Sequence, residues 1–188
     1  LFLKKNKKKD DVFFNIFGKE DLIKSELAKH KISSNKYKIF STSTVVSDEE
    51  TPLTAVKNSK ESSMWNSINS QIISNSNITL SAGNTGVLFV ISRMLLKTIE
   101  TVSKPALAGL WPNEKNMNVV LDLGANVECD EKNLIDFSEM GSALYKALFP
   151  EDTPKVALLN IGSEEIKGTE ILKKAHAKLK KISIHGDF

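Results

Sequence analysis

The chain has one cysteine and one arginine among its 188 residues, and it has no long hydrophobic run. The single thiol, Cys129, forms no internal disulfide and builds no cysteine-based zinc site by itself, so disulfide-rich classes are excluded. The longest apolar stretch, residues 87–91, is far shorter than the roughly 20 residues that cross a bilayer. A reducing, cytoplasmic setting fits this composition best.

The net positive charge is confined to the N-terminus. The net charge is +3, and five lysines stand within residues 1–10 against one aspartate, so the rest of the chain is close to neutral. This distribution gives little support for nucleic-acid binding, and a solvated end is favoured over contact with RNA or anionic lipid. The start does not have the form of a signal peptide, because these lysines follow a very short apolar segment, Leu1-Phe2-Leu3.

What the chain does have is an alternation of short apolar strands with helical stretches. The pattern predicts strands at residues 12–17, 37–40, 78–80, 105–110, 118–123, 154–161 and 182–184, and helices at residues 19–31, 53–60, 62–74, 87–97, 134–149 and 168–181. Such alternation indicates an α/β protein with a mainly parallel sheet and helices on both faces. We expect one domain over residues 1–188, since no linker or internal repeat interrupts the pattern.

Three predicted strand-to-helix junctions are rich in glycine, asparagine and hydroxyl residues. They are residues 81–86, 122–127 and 160–168. Ligands of open α/β sheets bind beyond the carboxyl ends of the strands, and helix N-termini with glycine turns offer backbone N–H groups to anions. Three such junctions in succession predict a phosphate-handling crevice. The alternative for each one is a tight turn that only packs its helix.

The standard nucleotide and nucleophile signatures are missing. The sequence contains neither a Gly-x-x-x-x-Gly-Lys-Ser/Thr loop nor a Gly-x-Gly-x-x-Gly turn, which disfavours ATP and dinucleotide cofactors. The three histidines lie outside the junctions, and Cys129 stands between two acidic residues, which predicts a poor thiolate. A covalent enzyme intermediate is therefore disfavoured. Phosphate itself is a suitable nucleophile, because it is anionic at neutral pH and needs positioning more than a strong base.

Several blocks of the sequence together resemble one family, the bacterial phosphate acyltransferases of phospholipid synthesis. The resemblance is specific over residues 46–181. The blocks follow in the family's order: Ser81-Ala82-Gly83-Asn84-Thr85-Gly86, Lys104-Pro105-Ala106-Leu107, Asp122-Leu123-Gly124-Ala125-Asn126, Met140-Gly141-Ser142 and Asn160-Ile161-Gly162-Ser163-Glu164-Glu165-Ile166-Lys167-Gly168. Upstream, Pro52, Lys60 and Ser62-Ser63-Met64 also fit. Lys104 stands where the family more often has arginine.

The resemblance implies a reaction and a setting. Members transfer a fatty acyl group from acyl carrier protein to inorganic phosphate, giving acyl phosphate for phospholipid biosynthesis. The implied fold is a three-layer α/β/α sandwich related to isocitrate and isopropylmalate dehydrogenases, in a homodimer that uses no cofactor and no metal. The family's opening Asp-Ala-Met-Gly-Gly-Asp motif and its later Asp-Gly-Phe-Thr-Gly-Asn segment have no match here, so the resemblance implies an internal fragment, truncated at both ends.

The resemblance also assigns roles to residues. Asn84, Thr85 and Lys167 are the implied catalytic residues. The implied substrate- and phosphate-binding residues are Ser81, Gly83, Gly86, Asp122, Gly124, Asn126, Asn160, Gly162, Glu165 and Gly168. Asp122 and Asn126 are implied to orient the substrate or to shape the crevice, and aspartate as a common cap at a strand end is an equally good interpretation.

Partners follow from the same resemblance. Acyl carrier protein is acidic, so the lysines of the last predicted helix are candidates for docking, although a solvated helix face is the favoured reading. Peripheral contact with the membrane or with a downstream membrane acyltransferase is a further implication, and nucleic acid is not expected. Two alternatives stay open: an inactive or partner-binding fragment, and a related phosphate acetyltransferase that acts on coenzyme A.

Overall fold

The computed structural model describes residues 12–73, 75–114, 116–162, 164 and 166–182. The chain divides into two compact units, residues 1–97 and residues 98–188. The expectation of one domain over the whole chain stays a prediction.

The first unit is built around a parallel strand pair. Its elements are β1 (Phe14–Gly18), α1 (Glu20–Lys29), β2 (Tyr37–Ser41), α2 (Pro52–Asn58), α3 (Ser63–Ile72) and α4 (Thr85–Leu96). In the pair, Phe14 lies opposite Tyr37 and Gly18 opposite Ser41, and α1 makes the crossover between the strands. This confirms the βαβ arrangement that the alternating pattern predicts. The rings of Phe17 and Phe40 stack with their centroids 4.9 Å apart.

The core of the first unit lies between α3 and α4. Met64 and Ile68 of α3 are buried against Val87 and Ile91 of α4, and Trp65 packs against this cluster. The apolar residues recur three and four positions apart, so each helix presents one stripe to the other. Packing of this stripe fixes the start of α4, which follows the first glycine-rich junction.

The second unit combines a hairpin with two helices. Its elements are β3 (Gly109–Pro112), β4 (Met117–Val120), α5 (Glu131–Leu148) and α6 (Glu170–Ile182). The strands pair in antiparallel fashion, with Gly109 opposite Val120. Helix α5 contacts both β4 and α6. A capping box starts α5, because Asp130 accepts from the Asn133 N–H at 2.8 Å while the Asn133 side chain accepts from the Asp130 N–H at 3.0 Å.

The α/β class is confirmed, but three details of the predicted sheet differ. Strands β3 and β4 are antiparallel, and residues 78–80 and 154–161 are not in strands. Ile78 and Leu159, in these two segments, are 76% and 94% exposed. An alternating or apolar pattern shows that a segment suits a strand, but a strand also needs a neighbour for its backbone N–H and C=O groups. Of the predicted strand at residues 182–184, Ile182 ends α6 and the other two residues lie outside the described ones.

A search of the described helices for membrane spans finds none that is long and apolar enough.

We expect the α3–α4 core to carry much of the stability of the first unit. Ile68→Ala should lower the free energy of unfolding by about 2–5 kcal/mol, because the side chain is fully buried and its removal leaves a cavity. Leu22→Ala, at an exposed position of α1, is the matched control and should stay within about 0.5 kcal/mol. Urea unfolding followed by circular dichroism and tryptophan fluorescence measures both, and equal losses in the two variants would contradict this assignment of the core.

Candidate functional site

The side chain of Asn84 joins the start of α4 to an upstream turn. Its Oδ1 accepts from the Val87 N–H at 3.1 Å, which makes Asn84 the N-cap of the helix. Its Nδ2 donates to the carbonyls of Asp48 at 3.1 Å and Glu50 at 3.0 Å, and it lies 3.5 Å from that of Ser47. The amide predicted to bind substrate is therefore already engaged within the chain.

The groups left open at this junction are on the next two residues. Thr85 and Gly86 are exposed and occupy the first turn of α4, where backbone N–H groups have no partner within the helix. Among the described residues, nothing hydrogen-bonds the Thr85 hydroxyl. Helix N-termini attract anions, so this pair of N–H groups and one hydroxyl is suited to phosphate.

The other residues of this junction shape the turn. Ser81 Oγ accepts from the Gly83 N–H at 3.2 Å. A Cβ on Gly86 would stand 3.3 Å from Cγ of Pro52, and a Cβ on Gly83 would stand 3.3 Å from Cε of Met64. These glycines therefore permit the close approach of the turn to α2 and α3.

Asp122 and Asn126 form a clasp in the second unit. Asp122 Oδ1 accepts from the Leu107 N–H at 2.7 Å, and Oδ2 accepts from the backbone and side-chain N–H groups of Asn126 at 2.8 and 3.0 Å. The Asn126 amide also donates to the Pro105 carbonyl at 2.8 Å. The second junction is thereby tied to the segment that precedes β3, and both side chains shape the loop. Gly124, between them, has a φ of +82°, which favours glycine, and a Cβ there would meet open space.

The hydrogen bonds of the clasp lower the pKa of the Asp122 carboxyl group. Burial acts to raise the pKa of the carboxyl group, but hydrogen bonds from the backbone N–H groups of Leu107, Asn126 and Ala125 and from the Asn126 amide outweigh it and hold the pKa below its ordinary value. The carboxylate is therefore the form that the fold stabilises.

Cys129 does not have the character of a nucleophile. Burial raises the pKa of its thiol, the charges of Asp122 and Asp130 add to the rise, and Lys104 opposes it. The prediction of a poor thiolate agrees with this direction, although burial is a larger cause than the acidic neighbours.

The third junction is held by hydrogen bonds among its own residues. Asn160 Nδ2 donates to the Gly162 carbonyl at 3.1 Å, and Oδ1 accepts from the Ile161 N–H at 2.9 Å. Gly168 has a φ of +88°, and a Cβ there would stand 2.7 Å from Asn160 Oδ1, so the position requires glycine. Lys167 is exposed, and its ammonium group makes no ion pair with the described residues, including the nearby Glu164. Glu165 lies outside the described residues.

The structure groups these junctions by unit. Residues 81–86 belong to the first unit, while residues 122–127 and 160–168 belong to the second. No hydrogen bond or ion pair joins the latter two within the described part of the chain. The single crevice that the sequence suggests thus stays a prediction. The structure adds the hydrogen-bond partners and the exposure of the residues at each junction.

Two contacts at these junctions involve residues that sequence reasoning left out. The turn at residues 47–50 meets Asn84 from more than 30 positions away, and no local pattern signals such a contact. Lys104 Nζ donates to the Glu128 carbonyl at 2.8 Å, which ties the segment before β3 to the residue that follows the second junction. A lysine next to the Pro-Ala-Leu block was the available signal for this second contact.

In the part of the chain that the structure describes, neither a depression nor a metal-binding group coincides with the predicted site residues. An open depression of about 650 Å³ is lined by Asn113, Glu114, Asn116, Tyr145 and Asp152, and none of the predicted site residues lines it. Among the described residues, no group of three or more histidine, cysteine, aspartate or glutamate side chains is placed to hold a metal ion.

Comparison with known proteins gives a consistent set of relatives. The family model described as "Fatty acid synthesis protein" matches residues 2–186. A curated phosphate acyltransferase of Pelagibacter ubique is 51% identical over 173 residues, covering 92% of this chain and 51% of the relative. Phosphate acyltransferases of Ehrlichia ruminantium and Anaplasma phagocytophilum are 41% and 39% identical, covering 92% and 94% of this chain and 50% and 51% of themselves. The chain spans about half the length of the curated relatives it matches.

The clasp predicts a pH-dependent contribution to stability. Because the pKa of Asp122 is lower in the folded chain than in the unfolded one, its contribution is full well above the unfolded value of about 4 and is lost as the pH falls through that value toward the folded one. Asp122→Asn should lower the free energy of unfolding by about 1–3 kcal/mol at pH 7, since an N–H group then faces other donors. The deficit should shrink at about pH 3.

Asp152→Asn is the matched control for this experiment, because the Asp152 carboxylate is exposed and, from the described residues, accepts only long hydrogen bonds of 3.3 and 3.4 Å. Urea unfolding at both pH values gives the comparison. A deficit for Asp122→Asn that is the same at pH 7 and pH 3 would show that charge is not what the clasp stabilises.

Proposed function

Since the chain belongs to the fatty acid synthesis protein family, and its curated relatives carry the name phosphate acyltransferase, we propose that it is an acyltransferase of phospholipid synthesis. In this proposal a fatty acyl group passes from acyl carrier protein to inorganic phosphate. The observation that carries the proposal is the start of α4, where Thr85 and Gly86 offer N–H groups that have no partner among the described residues, within a block that resembles the family's signature turn. Identity of 51% over 92% of the chain supports it.

The reaction needs little from side chains beyond positioning. A phosphate oxygen attacks the thioester carbonyl carbon, the C–S bond breaks, and the leaving thiolate takes the proton that hydrogen phosphate releases. The products are acyl phosphate and the free thiol of the carrier. The N–H groups of Thr85 and Gly86, with the Thr85 hydroxyl, hold phosphate in this scheme. Within the second unit, the exposed Lys167 ammonium is the implied source of positive charge for an anionic group.

The remaining implied residues act on loop shape in this proposal. Asp122 and Asn126 hold the second junction through their clasp, and Asn160 with Gly168 holds the third. Gly124 and Gly162 permit the turns. None of these side chains needs to touch substrate for its removal to reduce activity, because a displaced loop misplaces the groups it carries.

Architecture, assembly and location complete the proposal. We propose the three-layer α/β/α sandwich, the homodimer and the cytoplasmic location that the family resemblance implies, with a peripheral contact at the membrane. Residues 78–80 and 154–161 support the sandwich, because each segment has the composition of a strand and carries exposed apolar residues that a neighbour would cover: Ile78, Leu80, Leu159 and Ile161.

The direct test is phosphate-dependent acyl transfer. The purified chain is incubated with palmitoyl acyl carrier protein, with and without inorganic phosphate, and hydroxylamine traps acyl phosphate as the hydroxamate. We expect product only with phosphate, and Thr85→Gly should lower kcat/KM by about tenfold through loss of one hydrogen bond to a charged group.

Controls for this assay separate the alternatives. The Pelagibacter relative serves as the full-length positive control, and palmitoyl and acetyl coenzyme A replace the carrier in parallel reactions. Product from coenzyme A alone would favour the acetyltransferase alternative. No product from this chain under conditions in which the relative is active would overturn its activity and favour the inactive fragment.

A second prediction concerns docking of acyl carrier protein on α6. Lys173 and Lys178 are occupied in ion pairs with Glu170 at 3.3 Å and Glu131 at 2.5 Å. Three further lysines of α6 are exposed and have no acidic partner among the described residues: Lys174, Lys180 and Lys181. Changing these three to Glu should raise the KM for acyl carrier protein about tenfold at low salt, because the carrier is acidic.

Arginine at the same three positions keeps the charge and is the matched control, with an expected KM near that of the unchanged chain. Steady-state kinetics at varied carrier concentration and at two salt concentrations provides the measurement. An unchanged KM in the Glu variant would remove α6 as the docking surface and leave a solvated helix face.

A further inference from the structure

The hydrogen-bonding capacity of Asn84 sets what this residue can do at the α4 N-terminus. An amide side chain has two N–H donors and one acceptor oxygen. The two donors serve the carbonyls of Asp48 and Glu50, and the oxygen caps α4 through Val87. What remains is an acceptor lone pair, which repels a phosphate oxygen. Asn84 is therefore unsuited to bind the anion directly.

The partner of Asn84 is a closed and strongly acidic turn, residues 47–50. The Glu50 N–H donates to the Ser47 carbonyl at 3.2 Å, and the Glu50 carboxylate accepts from the Ser47 N–H at 3.1 Å. The turn contains three consecutive acidic residues, Asp48, Glu49 and Glu50. The turn thus concentrates negative charge, and Asn84 holds it beside the N-terminus of α4.

The acidic turn lies close to the free N–H groups at the start of α4, but its described side chains do not bind them. Carboxylates are favoured at helix N-termini, where they accept from free N–H groups. Within the described residues, however, no side chain of the turn hydrogen-bonds to Thr85 or Gly86. The Glu50 carboxylate is directed back to its own turn, and the turn's carbonyls rather than its carboxylates face Asn84.

We propose that Asn84 is a positioning residue, whose amide restrains the acidic turn so that Asp48 and Glu49 do not occupy the N-terminus of α4. The inference rests on the proposed function, since it takes that N-terminus as the phosphate site. It assigns Asn84 a role distinct from substrate contact. Released from Asn84, the turn supplies a tethered carboxylate at high effective concentration, and this carboxylate competes with free phosphate.

The test separates the cap from the restraint. Asn84→Ser keeps an oxygen that caps α4 but removes both N–H donors to the turn. Amide exchange followed by NMR should then show the Glu50 N–H exchanging about tenfold faster, while the Val87 N–H changes less than about twofold. The Val87 amide also reports that the variant is folded. Unchanged exchange at Glu50 would overturn the restraint.

A phosphate titration tests whether the released turn competes with phosphate. In a ³¹P NMR titration with inorganic phosphate, Asn84→Ser should weaken binding about threefold to tenfold, and adding Asp48→Asn and Glu49→Gln should restore it. Glu50 is left in place because it holds the turn. The same two changes are also made in the chain that keeps Asn84, where the restrained turn predicts a smaller gain in phosphate affinity. An equal gain in both backgrounds would show that the two changes act through charge alone, and that result would overturn the proposal.

The exchange measurement and the phosphate titration together separate a failure of the restraint by Asn84 from a failure of the proposed phosphate site. If the unchanged chain binds no phosphate while the Glu50 amide responds to Asn84→Ser, the proposed phosphate site fails and the restraint of the turn stands. If phosphate binds and the Glu50 amide does not respond, the site stands and the restraint fails.

Discussion

Short polar side chains that bind loop backbone are the interaction on which this structure depends. Each unit has one two-stranded sheet among the described residues, so the loops between elements have few ladder partners for their N–H and C=O groups. Buried or half-buried backbone groups must be paired somewhere. Asn84, Asp122, Asn126 and Asn160 supply the partners at the three glycine-rich junctions. Loop conformation therefore depends on a few carboxamide and carboxylate groups.

This dependence changes how the family's signature residues are understood. Residues that a motif places at a phosphate crevice are, in this chain, mostly engaged with the chain itself. Among the described residues, the groups without a hydrogen-bond partner in the chain are of a simpler kind: in the first unit the N–H groups at the start of α4 and the Thr85 hydroxyl, and in the second unit the Lys167 ammonium. Within each unit, a loop held by side-chain hydrogen bonds presents such groups in a defined direction.

Sequence reasoning located the elements well where local signals are strong. The helices predicted at residues 87–97 and 134–149 are found at residues 85–96 and 131–148, and the β1–α1–β2 unit follows from alternation. It was wrong for residues 78–80 and 154–161, because a strand exists only where a neighbour accepts its hydrogen bonds. The assignment of the site residues to the three junctions stays a prediction. Their hydrogen-bond partners, such as the carbonyls of Asp48 and Glu50, were beyond reach because those contacts are remote in sequence.

The sequence by itself determined the α/β class, the positions of the glycine turns, the poor nucleophile at Cys129 and the resemblance to a family, because each depends on residue type and short spacing. Only the tertiary structure decided which polar atoms are occupied and which are open. Asn84 and Thr85 are adjacent and equally polar in the sequence, yet one is fully engaged and the other exposed. The difference arises because a turn more than 30 residues upstream meets the amide of Asn84, and only the folded chain brings them together.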